Sequence, residues 1–359
     1  MQTARCVLVV ILLMTGLHEI RAQQVVGFSD WRSTTGFAGP RTSHASVLIN
    51  NHIYILGGLA YKSKLILYGD IQSATLGNDG SIATGAWQHV GALPTARSGL
   101  GAVYDDGVLY VVGGYSDAGT LDDTYFARLN QDGTVASWTQ SASHLNTPRS
   151  NHSLQLFKTK SGNRYLVAIA GVGNIGQDTV HFDTIEVTQI NSDGSPGPWR
   201  TCPYHIKGGR SAPATLVVDG NLYVFGGWGD LIIEDVFKDV QFAPLREDGC
   251  TDPWHTSPYQ LNMPVYGETA ALTSVTGSPM AVLLGGNAGQ GNYFNNVQLA
   301  PILKDGNVGP WTFDTHQFAP PRWGHVTALY GTYLLVIGGA QRGGDGYLAD
   351  VEVTTLTAQ

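Results

Sequence analysis

The residue with the greatest chemical potential in this chain is a lone carboxylate, Glu268. It closes the run Pro264-Val265-Tyr266-Gly267-Glu268, which lies without gaps over Pro321-Arg322-Trp323-Gly324-His325. The same pattern stands as Pro40-Arg41-Thr42-Ser43-His44 and Pro148-Arg149-Ser150-Asn151-His152, and Arg97 and Arg210 fall in the same arginine column. One copy thus replaces Arg by Val265 and His by Glu268. It and the next copy carry aromatics, Tyr266 and Trp323, where others have Thr42, Ser98, Ser150 and Ser211. Aromatic faces beside a carboxylate and an arginine suit the alternating apolar and polar faces of a sugar or similar polar ring. With an arginine to hold the substrate, Glu268 has the chemistry of a metal-free acid/base catalyst of isomerase, mutarotase or cyclase type. Repacking in a degenerate copy would explain the same departures without any ligand.

The five arginines, Arg41, Arg97, Arg149, Arg210 and Arg322, have two readings. A ring of cations would gather an anionic or polyhydroxyl ligand, whereas a repeated planar fork of donors would satisfy backbone carbonyls between repeat units. Asp70, Asp123, Asp239, Asn296 and Asp350 each sit six residues before the end of an apolar strand and read as strand-start caps. No GxSxG, HExxH or phosphate-cradling loop occurs, and no His/Cys cluster has metal spacing, so neither cofactor nor metal is expected.

These residues must be positioned by a repeat. Apolar runs close on Gly-Gly pairs at Gly58, Gly114, Gly227, Gly286 and Gly339, with a degenerate run ending at Gly171; the steps are 56, 57, 56, 59 and 53 residues. Trp31, Trp87, Trp138, Trp199, Trp254 and Trp311 keep a similar spacing. A fixed period of this size marks one supersecondary unit repeated along the chain. The second unit reads as four short strands: Ser98 to Tyr104, a turn at Asp105-Asp106-Gly107, Val108 to Val112, the alternating Asp123 to Leu129, and a strand opened by Trp138. The sixth unit lacks its fourth strand and Trp. Both appear at the other end, in Ser29-Asp30-Trp31-Arg32-Ser33-Thr34, which would pair two otherwise bare edges. The expectation is an all-β, six-bladed β-propeller with four antiparallel strands per blade, its last blade closed by the N-terminal strand.

The Pro-Arg-x-x-His element, the strand ending in Gly-Gly, the Asp/Asn-led strand and the Trp together resemble the kelch repeat across essentially the whole mature chain. Turns such as Asp79-Gly80 to Trp87 resemble those of exported kelch-like proteins. The resemblance implies the propeller and leaves function open, because kelch propellers include enzymes, protein-binding modules and saccharide-handling proteins. His44, His152 and His325 are, by the same resemblance, scaffold residues. Loops following each Gly-Gly open on the face that carries the arginine column and bring Tyr61, Tyr115, Asp117, Asp178, His181, Trp228, Asp230, Glu234, Tyr293, Phe294, Arg342 and Tyr347. Ligand or substrate is expected at this mouth, near Glu268, Trp323, Tyr266 and Trp228.

Arg5, the apolar run Cys6 to Met14 and the small residue Ala22 follow the order of a secretory signal peptide. The organisation expected is signal 1–22 and one propeller 23–359, secreted and monomeric. Cys202 and Cys250 then remain, as an inter-unit disulfide or as two separate buried thiols; the outward splay of neighbouring units argues against the bridge. The sequon Asn151-His152-Ser153 sits where an innermost strand begins, too crowded for a glycan. A net charge of −8 gives no basic footprint, which excludes nucleic acid as a partner class, and no apolar segment is long enough to span a membrane. Partners are expected to be a small molecule, a saccharide or an extracellular protein.

Overall fold

The computed structural model describes residues 26–229, 236–342 and 346–358. Among these residues every regular element is a strand, and no helix is long and apolar enough to cross a membrane. Six antiparallel blades follow one another along the chain; five are sheets of four strands, and in the last the outer position is shared by two short N-terminal strands. Blade 2 shows the unit: Gly101–Asp105, Val108–Ser116, Gly119–Arg128 and Thr139–Gln140 pair in sequence order. Its first hairpin turns on Asp106 and Gly107, both at positive φ (48° and 83°), the conformation that matches the twist of paired strands.

The second strands carry the core. Leu109, Tyr110, Val111 and Val112 are fully buried, and the corresponding residues of the other blades are nearly so. Each of six apolar clusters joins two neighbouring blades, so every seam around the ring is a core of its own. Blade 6 closes as the sequence implies. Val26–Phe28 pairs with Leu356 to Ala358, and Arg32–Thr34 pairs with Val351 to Val353 of the same long strand.

Two further devices hold the ring. At the start of each first strand one residue adopts a left-handed conformation: Ser43, Gly99, Asn151, Ala212, Gly267 and Gly324, with φ between 48° and 62°. This turns each N–H toward the previous blade, and six hydrogen bonds of 2.7–2.9 Å run in an unbroken circle around the axis. At about 1 kcal/mol each, these bonds stabilise closure as a set. On the outside, tyrosines of the second strands reach the Asp-Gly turn of the following blade. Tyr54, Tyr110 and Tyr223 donate to the carbonyls of Gly133, Gly194 and Gly306 at 3.1, 2.7 and 2.9 Å.

That latch corrects one expectation. Neighbouring units do not splay apart at this level, because each Asp-Gly turn folds back over the blade before it. The turn of blade 4 lies on Tyr165 of blade 3, and Cys250 within it forms a disulfide with Cys202, their Cα atoms 5.5 Å apart. The segment 1–22 lies outside the described residues.

Candidate binding face at the channel mouth

The arginines mark the mouth without lining it. All five are 0–1% exposed. Arg41, Arg97, Arg210 and Arg322 bind Asp70, Asp123, Asp239 and Asp350 of their own blades at 2.5–2.7 Å. Each also donates to the carbonyl of the first glycine in its Gly-Gly pair, at 2.8–3.0 Å. Burial would raise the Asp70 carboxyl, but the Arg41 hydrogen bonds outweigh it and hold it below the usual carboxylate range. The ring of ligand-gathering cations therefore gives way to a scaffold role: five planar forks tie the entering loop, the Gly-Gly turn and the third strand of one blade together. The aspartates expected as strand caps are the partners of those forks.

Blades 3 and 5 depart from this rule in different ways. Blade 3 has Thr184 in the aspartate column, and Arg149 turns to Glu186 two residues on, while keeping Ala170 O at 2.8 Å. Blade 5 has lost both halves of the pair. Val265 is fully buried where the arginine stood, and Asn296 replaces the aspartate, its Nδ2 donating to Met263 Sδ at 3.4 Å.

Backbone bridges fix the aromatics that the sequence singled out. Trp228 and Ser211, Tyr266 and Asn287, and Trp323 and Ala340 each exchange two main-chain hydrogen bonds of 2.8–3.0 Å. The loop before a first strand is thereby stitched to the residue after a Gly-Gly pair, and both lie on one face, as expected. The rings form a continuous arc over blades 3 to 6. His181 meets Trp228 edge-on at 5.5 Å, Trp228 stacks on Tyr266 at 5.6 Å, and Tyr266 meets Trp323 edge-on at 5.7 Å. Asn287 Nδ2 donates to the Tyr266 hydroxyl at 3.0 Å. All four rings are half-buried, each with part of its surface open. On the other side of the mouth, hairpins of blades 1, 2 and 3 raise Tyr61, Leu65, Tyr115 and Ile175, each more than 40% exposed. Asp230 and Glu234 lie outside the described residues.

Below the arc, a cavity of about 150 Å³ occupies the axis, lined by the six left-handed residues and the side chains after them. Three of those side chains are His44, His152 and His325, buried between blades. Burial, then the charges of Arg41, Arg149 and Arg322, lower each to about 3, so they are neutral at physiological pH. Glu268 stands in their column, 5% exposed, and neither carboxylate oxygen has a hydrogen bond of normal geometry. Burial drives its pKa well above the usual carboxylate range, with only the Glu268 and Ala214 amides and the Arg210 charge opposing. No histidine, lysine or free arginine lies within hydrogen-bond reach of it among the described residues, so the structure supplies no base or acid partner for proton transfer. Asn151 lines the same cavity with its backbone committed to the circle, and its sequon faces the axis. Among the described residues no cluster of three potential metal ligands occurs.

A family model described as "KLHDC2/KLHL20/DRC7 Kelch-repeats domain" matches residues 29–227, more than half of the chain. The chain belongs to the kelch-repeat family. This kelch propeller is similar to human Kelch repeat and BTB domain-containing protein 12, at 26% identity over 196 residues, which cover 52% of this chain and 30% of that protein. It is equally similar, over 124 residues, to Kelch repeat and BTB domain-containing protein 1 of horsepox virus, covering 34% of this chain and 20% of the relative. The match spans less than a third of either curated relative. Sequence reasoning missed the circle of backbone bonds, whose members share a conformation and no residue type. It also missed His181 as the outer end of the arc and Glu186 as a substitute partner; the available signal was Thr184 in the aspartate column of a blade that keeps its arginine.

Proposed function

We propose that this kelch propeller is a binding module whose Gly-Gly face holds a loop of a protein partner, seated on the arc Trp228–Tyr266–Trp323. The arc carries the reading. Large half-open rings held by paired backbone bonds offer contact area at little ordering cost, the character of interface hot spots. The exposed Tyr61, Leu65, Tyr115 and Ile175 extend the same surface across the mouth. A cavity of about 150 Å³ is small beside the roughly 300–1,000 Å³ of enclosed small-molecule sites, which favours a loop lying across the mouth over a saccharide buried in it. The acid/base alternative has Glu268 as its one support, and that carboxyl has no proton-transfer partner. Export from the cell is part of the proposal, supported by the signal-like segment 1–22 and by a disulfide between blades.

Selection of a displayed peptide-loop library on the wild-type protein tests it. Enriched loops should bind Trp228→Ala and Trp323→Ala at least about tenfold more weakly, as expected for hot-spot truncation, and should bind Tyr259→Ala, on the outer rim, unchanged. Equal binding to all four proteins would place recognition elsewhere.

A further inference from the structure

At the end of the strands opposite the Gly-Gly face, the seam between blades 1 and 2 holds a groove of about 320 Å³. Blade 1 lines it with Ile49, Asn50, His52 and Tyr54, and blade 2 with Tyr104, Gly107 and the Asp-Gly turn. In the next seam arginines span the same place. Six residues before Ala170, the residue that stands for the first glycine of the pair, blade 3 has Arg164. Its guanidinium crosses to Asp105 and Asp106 of blade 2 at 2.8 and 3.3 Å. Six residues before Gly113, blade 2 has Gly107. A second arginine, Arg128, crosses the other way to the Asp193 carbonyl at 3.0 Å. Arg128 pairs with Val108 in the sheet, and the residue paired with the matching His52 of blade 1 is Thr75. The blade 1–2 seam is open because both spanning arginines are absent from it. The blade 3–4 seam also has a glycine, Gly220, and a groove of about 410 Å³, but Lys158, Lys160, Arg246, Asp219, Glu247 and Asp252 line it.

The blade 1–2 groove is lined instead by amides, an imidazole and two phenols, with Asp132 as its one carboxylate and no lysine or arginine. Asp132 Oδ1 accepts from the Thr134 amide and hydroxyl at 3.0 and 2.6 Å, and Asn130 Nδ2 donates to the same hydroxyl at 2.9 Å. Asp132 Oδ2 and Asn130 Oδ1 are left as acceptors without a partner among the described residues. The side chains of Asn50, His52 and Gln131 and the Tyr104 hydroxyl have none there either. Asn50, Asn130, Gln131 and Asp132 are exposed, so a ligand can reach them. Ile49 and Tyr54, both buried, and Leu129 add apolar surface. Mixed donors and acceptors around an apolar patch match a neutral sugar ring, whose hydroxyls both donate and accept and whose C–H face packs on aromatic and aliphatic carbon. An anion would meet Asp132 and no counter-charge. The volume stands at the lower end of the roughly 300–1,000 Å³ of small-molecule sites, which suits a short saccharide. We propose that this groove binds a neutral saccharide unit, with Asn50, His52, Asn130, Gln131 and Asp132 as its hydrogen-bonding wall. The site is separate from the loop-binding mouth and does not rest on that reading.

The experiment follows the Gly107 and Gly133 amide signals and the Trp323 indole signal by NMR during titration. The probes are the methyl glycosides of glucose, galactose, mannose and N-acetylglucosamine, the disaccharides maltose and lactose, sodium glucuronate and cyclohexylammonium chloride. At least one neutral sugar should shift the two glycine amides saturably, with a Kd on the order of 1 mM, and leave Trp323 unmoved. Glucuronate should bind at least about tenfold more weakly than that sugar, and cyclohexylammonium should not displace it. Three variants at exposed or half-buried positions should fold and lose affinity. His52→Val carries the residue of blade 2, and Asn50→Gly keeps the positive φ of 55°; each should weaken the sugar severalfold. Thr75→Arg returns a spanning arginine and should weaken it about tenfold or more. Tighter binding of a disaccharide than of its methyl monosaccharide assigns the groove to glycan ends, and equal binding assigns it to free sugars; both uphold the proposal. No saturable shift with any neutral sugar, shifts confined to Trp323, tighter binding of cyclohexylammonium than of every sugar, or unchanged affinity in all three variants overturns it.

Discussion

Blades 3 and 5 both break the rule that the other four keep, and the contrast shows which departures a propeller tolerates. Blade 3 retains its buried arginine and so must find another acid: Thr184 leaves the column, and Glu186 comes in from the neighbouring position. Blade 5 discards Arg and Asp together, leaving Val265 and Asn296. A buried ion pair can be relocated or deleted whole, and only its half-deletion is forbidden, because one unpaired buried charge costs several kcal/mol. Blade 5 thereby keeps its fold while shedding the scaffold chemistry of its mouth, and Tyr266 and Glu268 occupy the loop that the arginine no longer constrains.

The comparison breaks first in blade 3. Glu186→Gln leaves Arg149 buried without its acid and should lower the unfolding free energy by about 3–5 kcal/mol, read from denaturant midpoints. A loss under about 1 kcal/mol would mean that the carbonyls of Ala170 and Thr184 suffice and that the relocation carries no weight.

Blade 5 supplies the reciprocal test. Val265→Arg alone places a cation opposite Asn296 and should destabilise by a few kcal/mol, whereas Val265→Arg with Asn296→Asp rebuilds the pair. The double-mutant cycle should return a favourable coupling of about 1–3 kcal/mol. Additive effects would show that the two losses are unrelated.

Stability against pH separates the column's two chemistries. Glu268 keeps its proton in the folded protein to higher pH than in the unfolded chain, so its contribution is complete below pH 4.5 and is lost as pH rises toward its folded value. The slope is about 1.4 kcal/mol per pH unit. His44, His152 and His325 run the other way: lowered from 6.5 to about 3, they contribute fully above pH 6.5 and lose that contribution as pH falls toward 3. Glu268→Gln should flatten the alkaline decline and leave the acid limb unchanged. If the decline persists in the variant, its origin lies in another group.

Much of this was legible before any coordinates. The period of about 56 residues and the displaced Trp31 strand specified six blades and their closure, because both follow from pairing edges and burying faces, which sequence patterns record directly. Comparing copies found Tyr266, Trp323 and Glu268, and the structure brings them to one mouth. The role of the arginines was not legible. A guanidinium column looks the same whether it faces solvent or an aspartate 26–29 residues away, and only the third strand's return beside the entering loop decides it. The Cys202–Cys250 bridge was likewise hidden, since it depends on a turn folding back over the preceding blade.

The smallest expected change in stability accompanies the most direct test of the central claim, that blade 5 is specialised and not merely decayed. Val265→Arg, Tyr266→Ser, Glu268→His and Asn296→Asp together restore the pattern of the other blades. The account predicts a protein that melts within a few degrees of wild type yet binds the loops selected on wild type at least about tenfold more weakly, with Trp228 still in place. Unchanged affinity in a folded restored protein would contradict the account and return the departures of blade 5 to drift.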